Sequence, residues 1–428
     1  MHIAADSRAN EPPSVPLDEI DIGTPSFWAL PEELREGAFA TLRREKPVAF
    51  FAEPEVPGFT AGPGFWALTR YDDVFYASRH PQLFSNLPNI NIFDIPPDLA
   101  DLFGSMINLD EPRHHRLRSI VHKAFTPRVV TQMEQSVADR TRVIVREMVD
   151  RHPEGECDFV RAIAATLPLQ VICDMVGIPS EDETQILAWT NVLTSAGDDE
   201  LIPDFEVFRQ VANSVADYAY GMAENRRSHP RDDLTTALVQ AEVDGQHLTS
   251  AEIASFFMLL INAGTETTRT AISHGLVALS DHPAERDVWW ADFENVANSA
   301  AEEIVRWSTP IIYMRRTLKA DVELGGVRMR AGDKVVMFYN SANRDGKYFQ
   351  NPHRFDVRRD PNPQVGYGAG GPHFCLGASL ARREIVTAFR ELHAQVPDIR
   401  SSGPPVRLQS SFVHGIKRLK ASWTPPSN

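Results

Sequence analysis

The chain has 428 residues, with 43 Lys and Arg against 58 Asp and Glu, and a formal charge of −15. At 43% hydrophobic and 24% charged residues it has the make-up of a globular protein with a large core, which excludes a disordered or fibrous chain. Its acidity argues against a nucleic-acid partner, and three cysteines without a C-x-x-C pair exclude a disulfide framework or a structural zinc site.

In chain order, residues 1–20 carry Pro12, Pro13 and Pro16 among small and charged residues and read as an N-terminal arm on the surface. Residues 21–428 read as a single domain, because no composition break or linker divides them. The first 30 residues lack a basic n-region and an apolar h-region, so no secretory signal is expected and the expected location is cytoplasmic. The longest nearly apolar stretch, Ile253 to Ile261, falls far short of the ~20 residues that cross a bilayer. Between Phe39 and Tyr76, the runs Pro47–Phe51 and Phe65–Thr69 alternate with Pro and Gly turns and predict a small sheet near the N-terminus. Beyond Pro112, apolar spacing predicts helices over about 112–124, 127–150, 158–176, 180–194, 204–227, 231–241, 250–280, 297–307 and 376–395. After Pro310, strands are predicted at Val322–Leu324, Val327–Met329 and Lys334–Tyr339, separated by glycine turns. The expected class is mainly α with small β-sheets.

Two of these segments have residues that a plain core would not select. The helix at 250–280 opens on Thr249-Ser250-Ala251-Glu252, which has the spacing of a capping box, and stops at Asp281-His282-Pro283. In its middle, Asn262-Ala263-Gly264-Thr265-Glu266-Thr267 follows a very apolar run, although Gly and Thr each weaken a helix interior by roughly 0.5–1 kcal/mol. In one reading, Gly264 opens room for a ligand while the Glu266 carboxylate and Thr267 hydroxyl deliver protons. In the other, this is a kinked core helix whose Thr hydroxyls bond back to the preceding turn. Asn262, one turn before Glu266, either bonds a substrate oxygen or caps the kink. The second segment runs from Gly366 to Gly377 around Cys375 and leads directly into a helical run from Ala378. Glycines let successive N–H groups converge on one acceptor, here the sulfur, and a lone thiolate suits one axial position of haem iron. A structural turn with an inert cysteine is the plainer alternative. The formal dinucleotide pattern Gly366-x-Gly368-x-x-Gly371 lacks a preceding strand.

Together these segments resemble cytochrome P-450, the haem-thiolate monooxygenase superfamily, from about Phe27 to Lys420. Ala263-Gly264-Thr265-Glu266-Thr267 is similar to the family's oxygen-activation motif, Glu303-Ile304-Val305-Arg306 to its E-x-x-R pair, and the Cys375 loop to its haem-ligand signature. Asn343-Arg344-Asp345 through Phe355-Asp356 resembles the meander that locks Glu303 and Arg306. His114-x-x-x-Arg118 is similar to the propionate-binding helix, and Arg316 to a further propionate-binding arginine. The resemblance implies a long central helix over haem b with the Cys-ligand loop beneath it. It also implies Cys375 as axial thiolate, cofactor contacts at Ala263, Gly264, Tyr367, Gly368, His373 and Gly377, and molecular oxygen as co-substrate. The family's usual aromatic stands seven positions before the cysteine, whereas Tyr367 stands eight before, so the loop is one residue longer. Such an expanded loop is similar to actinobacterial enzymes that hydroxylate the terminal methyl of methyl-branched lipids or cholesterol side chains.

A pocket of Phe93, Phe103, Met106, Ile107, Ile311, Ile312, Met314 and Phe412 would suit that hydrocarbon substrate. No flavin or nicotinamide domain is apparent, so the resemblance implies a ferredoxin, with its ferredoxin reductase, as electron donor. Arg113, Arg116, Lys123, Arg128, Arg382 and Arg383 form a basic patch expected to dock it. Hydroxylation of a polyketide or terpenoid, and a non-enzymatic haem-thiolate sensor or electron carrier, are the alternatives.

Overall fold

A computed structural model describes residues 11–53, 58, 59, 61–122, 125, 127–195, 197–202, 204–243 and 245–425. Residues 1–10 of the expected arm and Lys123 of the expected basic patch lie outside the described residues, as does the Arg128 side chain. The longer helices are α1 (Glu32–Glu45), α2 (Tyr71–Arg79), α3 (Arg113–His122), α4 (Pro127–Arg151), α5 (Thr166–Val176), α6 (Glu183–Leu193), α7 (Phe205–Ser228), α8 (Ser250–Asp281), α9 (Pro283–Ala291), α10 (Phe293–Ser308) and α11 (Ala378–Gln395). Most follow the apolar spacing of the sequence. Three were not expected: α1 and α2, in a region read as strands and turns, and α9, which begins at the proline that stops α8.

The axis of the fold is α8. Thr249 Oγ1 accepts from the Glu252 N–H at 3.2 Å and Glu252 Oε2 from the Thr249 N–H at 2.9 Å, so the capping box is complete. Ile253, Phe256, Phe257, Leu260 and Ile261 are all buried, because α5, α7, α10 and α11 pack around the helix. It is assigned as α-helix without interruption through Gly264. Thr267 Oγ1 donates to the Ala263 carbonyl at 2.8 Å and Ser273 Oγ to that of Arg269 at 2.8 Å. These bonds satisfy the hydroxyls without opening the ladder.

The expected N-terminal sheet is not a separate unit. Strands β1 (Val48–Phe51), β2 (Phe65–Leu68), β3 (Phe84–Ser85), β4 (Tyr313–Leu318) and β5 (Lys334–Phe338) form one sheet in the order β1-β2-β5-β4-β3. β2 pairs in parallel with β5, Phe65 opposite Lys334, and β5 pairs antiparallel with β4, Val336 opposite Arg315. One apolar layer packs Phe39 and Trp28 against Phe338 and Tyr313, and another packs Val74 and Phe84 against Val335 and Met337. Among the described residues, no helix is long and apolar enough to cross a membrane.

Candidate active site

Between α8, the start of α11, β4 and the segment 86–108 lies a cavity of about 410 Å³, and it collects most of the residues singled out in the sequence. Its floor is the loop 366–377. Gly368, Gly370 and Gly371 have φ of +96°, +80° and +81°, a conformation that favours glycine. A Cβ on Gly371 would lie 2.2 Å from the Ser78 carbonyl oxygen, and Ser78 Oγ donates to the Gly370 carbonyl at 2.7 Å. The loop is therefore pressed onto the end of α2. Gly368 donates to the Val365 carbonyl at 2.8 Å and Cys375 to that of Tyr367 at 2.9 Å, closing the turn that presents the thiol. Tyr367 is buried beneath the guanidinium of Arg382, 4.3 Å from its ring centre, and its hydroxyl has no hydrogen-bond partner among the described residues.

Burial pushes the Cys375 thiol up, opposed by the Gly377 and Ala378 N–H groups and by the charges of Arg118 and Arg382. Cys157 and Cys173 are pushed up to about 12 by burial and nearby carboxylates. Cys375 alone combines a cavity position with donors aimed at its sulfur. Basic side chains line the same cavity: the guanidiniums of Arg118 and Arg316 and the imidazoles of His114 and His373 border it. Arg118 Nη2 donates to the Phe374 carbonyl at 2.6 Å and Arg316 Nη1 to that of Arg315 at 2.8 Å. Among the described residues no carboxylate pairs with either guanidinium, and burial lowers the pKa of both. His114 Nδ1 lies 3.0 Å from Glu111 Oε1, and its ring centre is 4.0 Å from that of His373. Burial lowers both histidines, His373 to about 2 with help from Arg316. A cavity with one supported thiol and two uncompensated guanidiniums fits an iron porphyrin carrying two propionates, because buried cations require counter-charge.

On the opposite wall, Glu266 and Thr267 both border the cavity, as expected, but they face different partners. The buried Glu266 carboxylate pairs with Arg269 and accepts from Thr270 Oγ1 at 3.5 Å, and Arg269 Nη1 donates to Asn191 Oδ1 of α6 at 2.6 Å. Burial raises its pKa, against the pull of Arg269. No hydrogen bond joins Glu266 to Thr267 among the described residues. Gly264 borders the cavity beside Ala263, yet the room it leaves is not for a ligand. A Cβ there would lie 2.9 Å from Ile172 Cγ1, so the glycine admits α5 instead. Asn262 Nδ2 bonds back to the Met258 carbonyl at 2.8 Å, leaving Oδ1 unpartnered.

Phe93, Phe103, Met106, Ile107, Ile311, Met314 and Phe412 form the apolar wall as expected. Ile312 does not: it is buried with Tyr313 and Phe338. The chain bends at Pro310, and the Ile312 N–H then donates to the Phe412 carbonyl while its own carbonyl accepts from the Tyr339 N–H, both at 2.8 Å, which fixes the backbone with the side chain in the core. Phe59 and Phe208, also on the wall, carried no signal beyond ordinary apolar spacing. Behind the site, Glu303 and Arg306 are fully buried and joined by two 2.7 Å hydrogen bonds. Arg306 Nη1 also donates to the carbonyls of Asn343 and Pro352 at 2.9 and 2.8 Å. Arg344 donates to the Arg306 and Trp307 carbonyls, both at 3.0 Å, and Arg359, unmarked in the sequence, adds a 3.0 Å bond to Glu303. Three of the six residues of the expected basic patch are paired with acids: Arg113 with Glu252, Arg382 with Glu302 and Arg383 with Glu134.

Residues 65–287 and 292–392 match the family model "Cytochrome P450". A methyl-branched lipid omega-hydroxylase of Mycobacterium tuberculosis is 55% identical over 422 residues, 99% of each chain. A steroid C26-monooxygenase of Rhodococcus jostii is 38% identical, over 97% of this chain and 87% of its own. Among solved structures, a Mycobacterium marinum cytochrome P450 in complex with pseudoionone superposes with a TM-score of 0.92 at 42% identity, covering 96% of this chain and 99% of that one.

Proposed function

The chain belongs to the cytochrome P450 family, and from that premise we propose that it hydroxylates the terminal methyl of methyl-branched or isoprenoid lipids and of cholesterol or cholestenone side chains. It is a haem-thiolate monooxygenase, using molecular oxygen and electrons from a redox partner. In this reading the haem is haem b, the partner is a ferredoxin served by its reductase, and the enzyme works in the cytoplasm. Pairing of residues 48–85 with 313–338 in one sheet supports taking residues 21–428 as one domain.

When bound, the haem supplies oxygen activation strong enough to attack an unactivated C–H bond. The protein's part is to hold, orient and protonate. Cys375 presents its sulfur from a loop that cannot retreat, and the Gly377 and Ala378 N–H groups withdraw charge from it. His114, Arg118 and Arg316, which border the cavity, would hold the propionates. The Thr267 hydroxyl, its proton committed to Ala263, keeps lone pairs free to accept from a water in the cavity. Glu266, one residue earlier, is paired with Arg269; to relay a proton its carboxylate must leave that partner. Phe93, Phe103, Met106 and Ile311 give a hydrocarbon no polar group to bind, so orientation comes from shape.

The carrying observation is that apolar wall, set opposite Cys375 in one cavity with Glu266 and Thr267. The test supplies purified protein with ferredoxin, reductase and ¹⁸O₂, and offers a terminally methyl-branched fatty acid, cholestenone and a macrolide. Label in a terminal alcohol of either lipid is the expected result. Turnover of the macrolide alone would replace the lipid reading with natural-product hydroxylation.

A further inference from the structure

Two irregular loops bring aromatic rings to the cavity, and one buried ammonium holds both. Phe59 and Phe93 pack with ring centres 4.4 Å apart; Phe59 also meets Phe205 at 5.0 Å and Phe208 at 6.0 Å. Phe208 stacks on Phe103 at 5.8 Å. Phe59, Phe93, Phe103 and Phe208 all border the cavity. Neither Phe59 nor Phe93 belongs to a helix or strand, and side chains add to backbone bonds, such as that of the Arg315 N–H to the Ile90 carbonyl at 2.8 Å, in holding the residues around them.

Lys334, at the start of β5, does this. Its Nζ lies 2.7 Å from Glu53 Oε1, 3.0 Å from Asp94 Oδ2 and 3.0 Å from the Ile92 carbonyl, with its side chain 6% exposed. Glu53 also accepts from the N–H groups of Gly62 at 2.7 Å and Gly64 at 3.3 Å, so its carboxylate gathers in the loop that carries Phe59. A Cβ on Gly62 would stand 2.6 Å from Glu53 Oε1 and 2.7 Å from Lys334 Nζ: the ion pair fills the space that glycine leaves. On the other side, Asp94 follows Phe93 directly and accepts from Arg315 Nη1 at 2.6 Å, while Arg315 also donates to the Asn91 carbonyl at 3.2 Å. Two cations and two carboxylates thus balance, and removing Lys334 strands the buried carboxylate of Glu53.

We propose that Lys334 is a positioning residue for the substrate: its ammonium clasps the loops of Phe59 and Phe93 together, so that their rings hold a lipid chain in the single register that offers its terminal methyl for reaction. This rests on the lipid reading above. A terminal methyl has a stronger C–H bond than the branch carbon beside it, so attack at the end depends on register, and loops free to part let the chain slide by one carbon.

The test compares wild type with Asp94→Asn and Lys334→Met, using 15-methylhexadecanoic acid as substrate. The readouts are the ratio of terminal to internal alcohol and hydrogen exchange at the Gly62, Gly64 and Ile92 amides. Both variants should lower the ratio about tenfold, equivalent to ~1.4 kcal/mol of lost selectivity, and should speed exchange at the amides of their own side. The carbon monoxide spectrum of Asp94→Asn should stay that of the wild type, which a general loss of structure would not allow. The Asp94 side chain is 42% exposed, so this variant decides the matter if Lys334→Met does not fold. Terminal hydroxylation with an unchanged ratio overturns the clasp alone; no hydroxylation of the lipid by the wild type overturns the lipid reading and the clasp with it.

Discussion

At the scale of single residues, what matters is which polar groups the fold has left without partners. Glu384, on α11 at the cavity, is 2% exposed with an unpartnered Oε2, and burial raises its pKa to about 8. A carboxyl raised in the folded state keeps a proton that the unfolded chain releases near pH 4.5. Its contribution is therefore fully present below that pH and is lost as pH rises through about 8. Glu384→Gln should match wild type near pH 4.5 and exceed it by roughly 3–5 kcal/mol above pH 8, read from denaturation midpoints across pH. Thr267→Ala removes a cavity-lining hydroxyl next to Glu266, and should raise peroxide release relative to product by about tenfold or more. Unchanged coupling would remove Thr267 from the proton path. Such residues were legible in the sequence because their chemistry demands a particular side chain at short spacing: Glu266 with Thr267, His114 with Arg118, Glu303 with Arg306. Their partners across the fold were not. Nothing near Gly264 announces Ile172, and nothing near Glu303 announces Arg359.

Among elements, the decisive contacts join loops to helices. Gly371→Ala would force a left-handed φ on alanine and push its Cβ into the Ser78 carbonyl, moving the ligand loop off α2. We expect a loss of about 2 kcal/mol or more and weaker haem retention, measured by transfer of haem to apomyoglobin. Glu303→Gln leaves Arg306 and Arg359 short of a buried counter-charge and should cost ~3–5 kcal/mol, seen as poor cofactor incorporation at growth temperature. Periodicity revealed the long helices, since α4, α7 and α8 each bury a stripe or more of their surface. It missed α1, which precedes the first strand, and α2, a short amphipathic piece between β2 and β3, and it placed Ile312 on the pocket wall because no spacing rule foresees the bend at Pro310.

For the molecule as a whole, charge is arranged in pairs. With Arg113, Arg382 and Arg383 each bound to a glutamate, the face around α3 and α11 is less positive than a count of its arginines suggests. Glu134→Gln should release Arg383 and raise the association rate with an acidic ferredoxin about two- to threefold at low salt, an advantage that 0.5 M salt abolishes. Stopped-flow reduction at two ionic strengths measures it. Local sequence showed the basic residues here; only the folded arrangement shows which acids answer them.

The sheet order has a consequence for biosynthesis. β2, formed from residues 65–68, lies in parallel against β5, residues 334–338, and the cysteine follows later still at 375. On the ribosome, the first strands must therefore wait for most of the polypeptide to emerge before they find their neighbour, at a large cost in loop closure. Prosthetic-group capture is then a late, post-translational event, and a nascent chain arrested before β5 is a substrate for chaperones rather than a partly built enzyme.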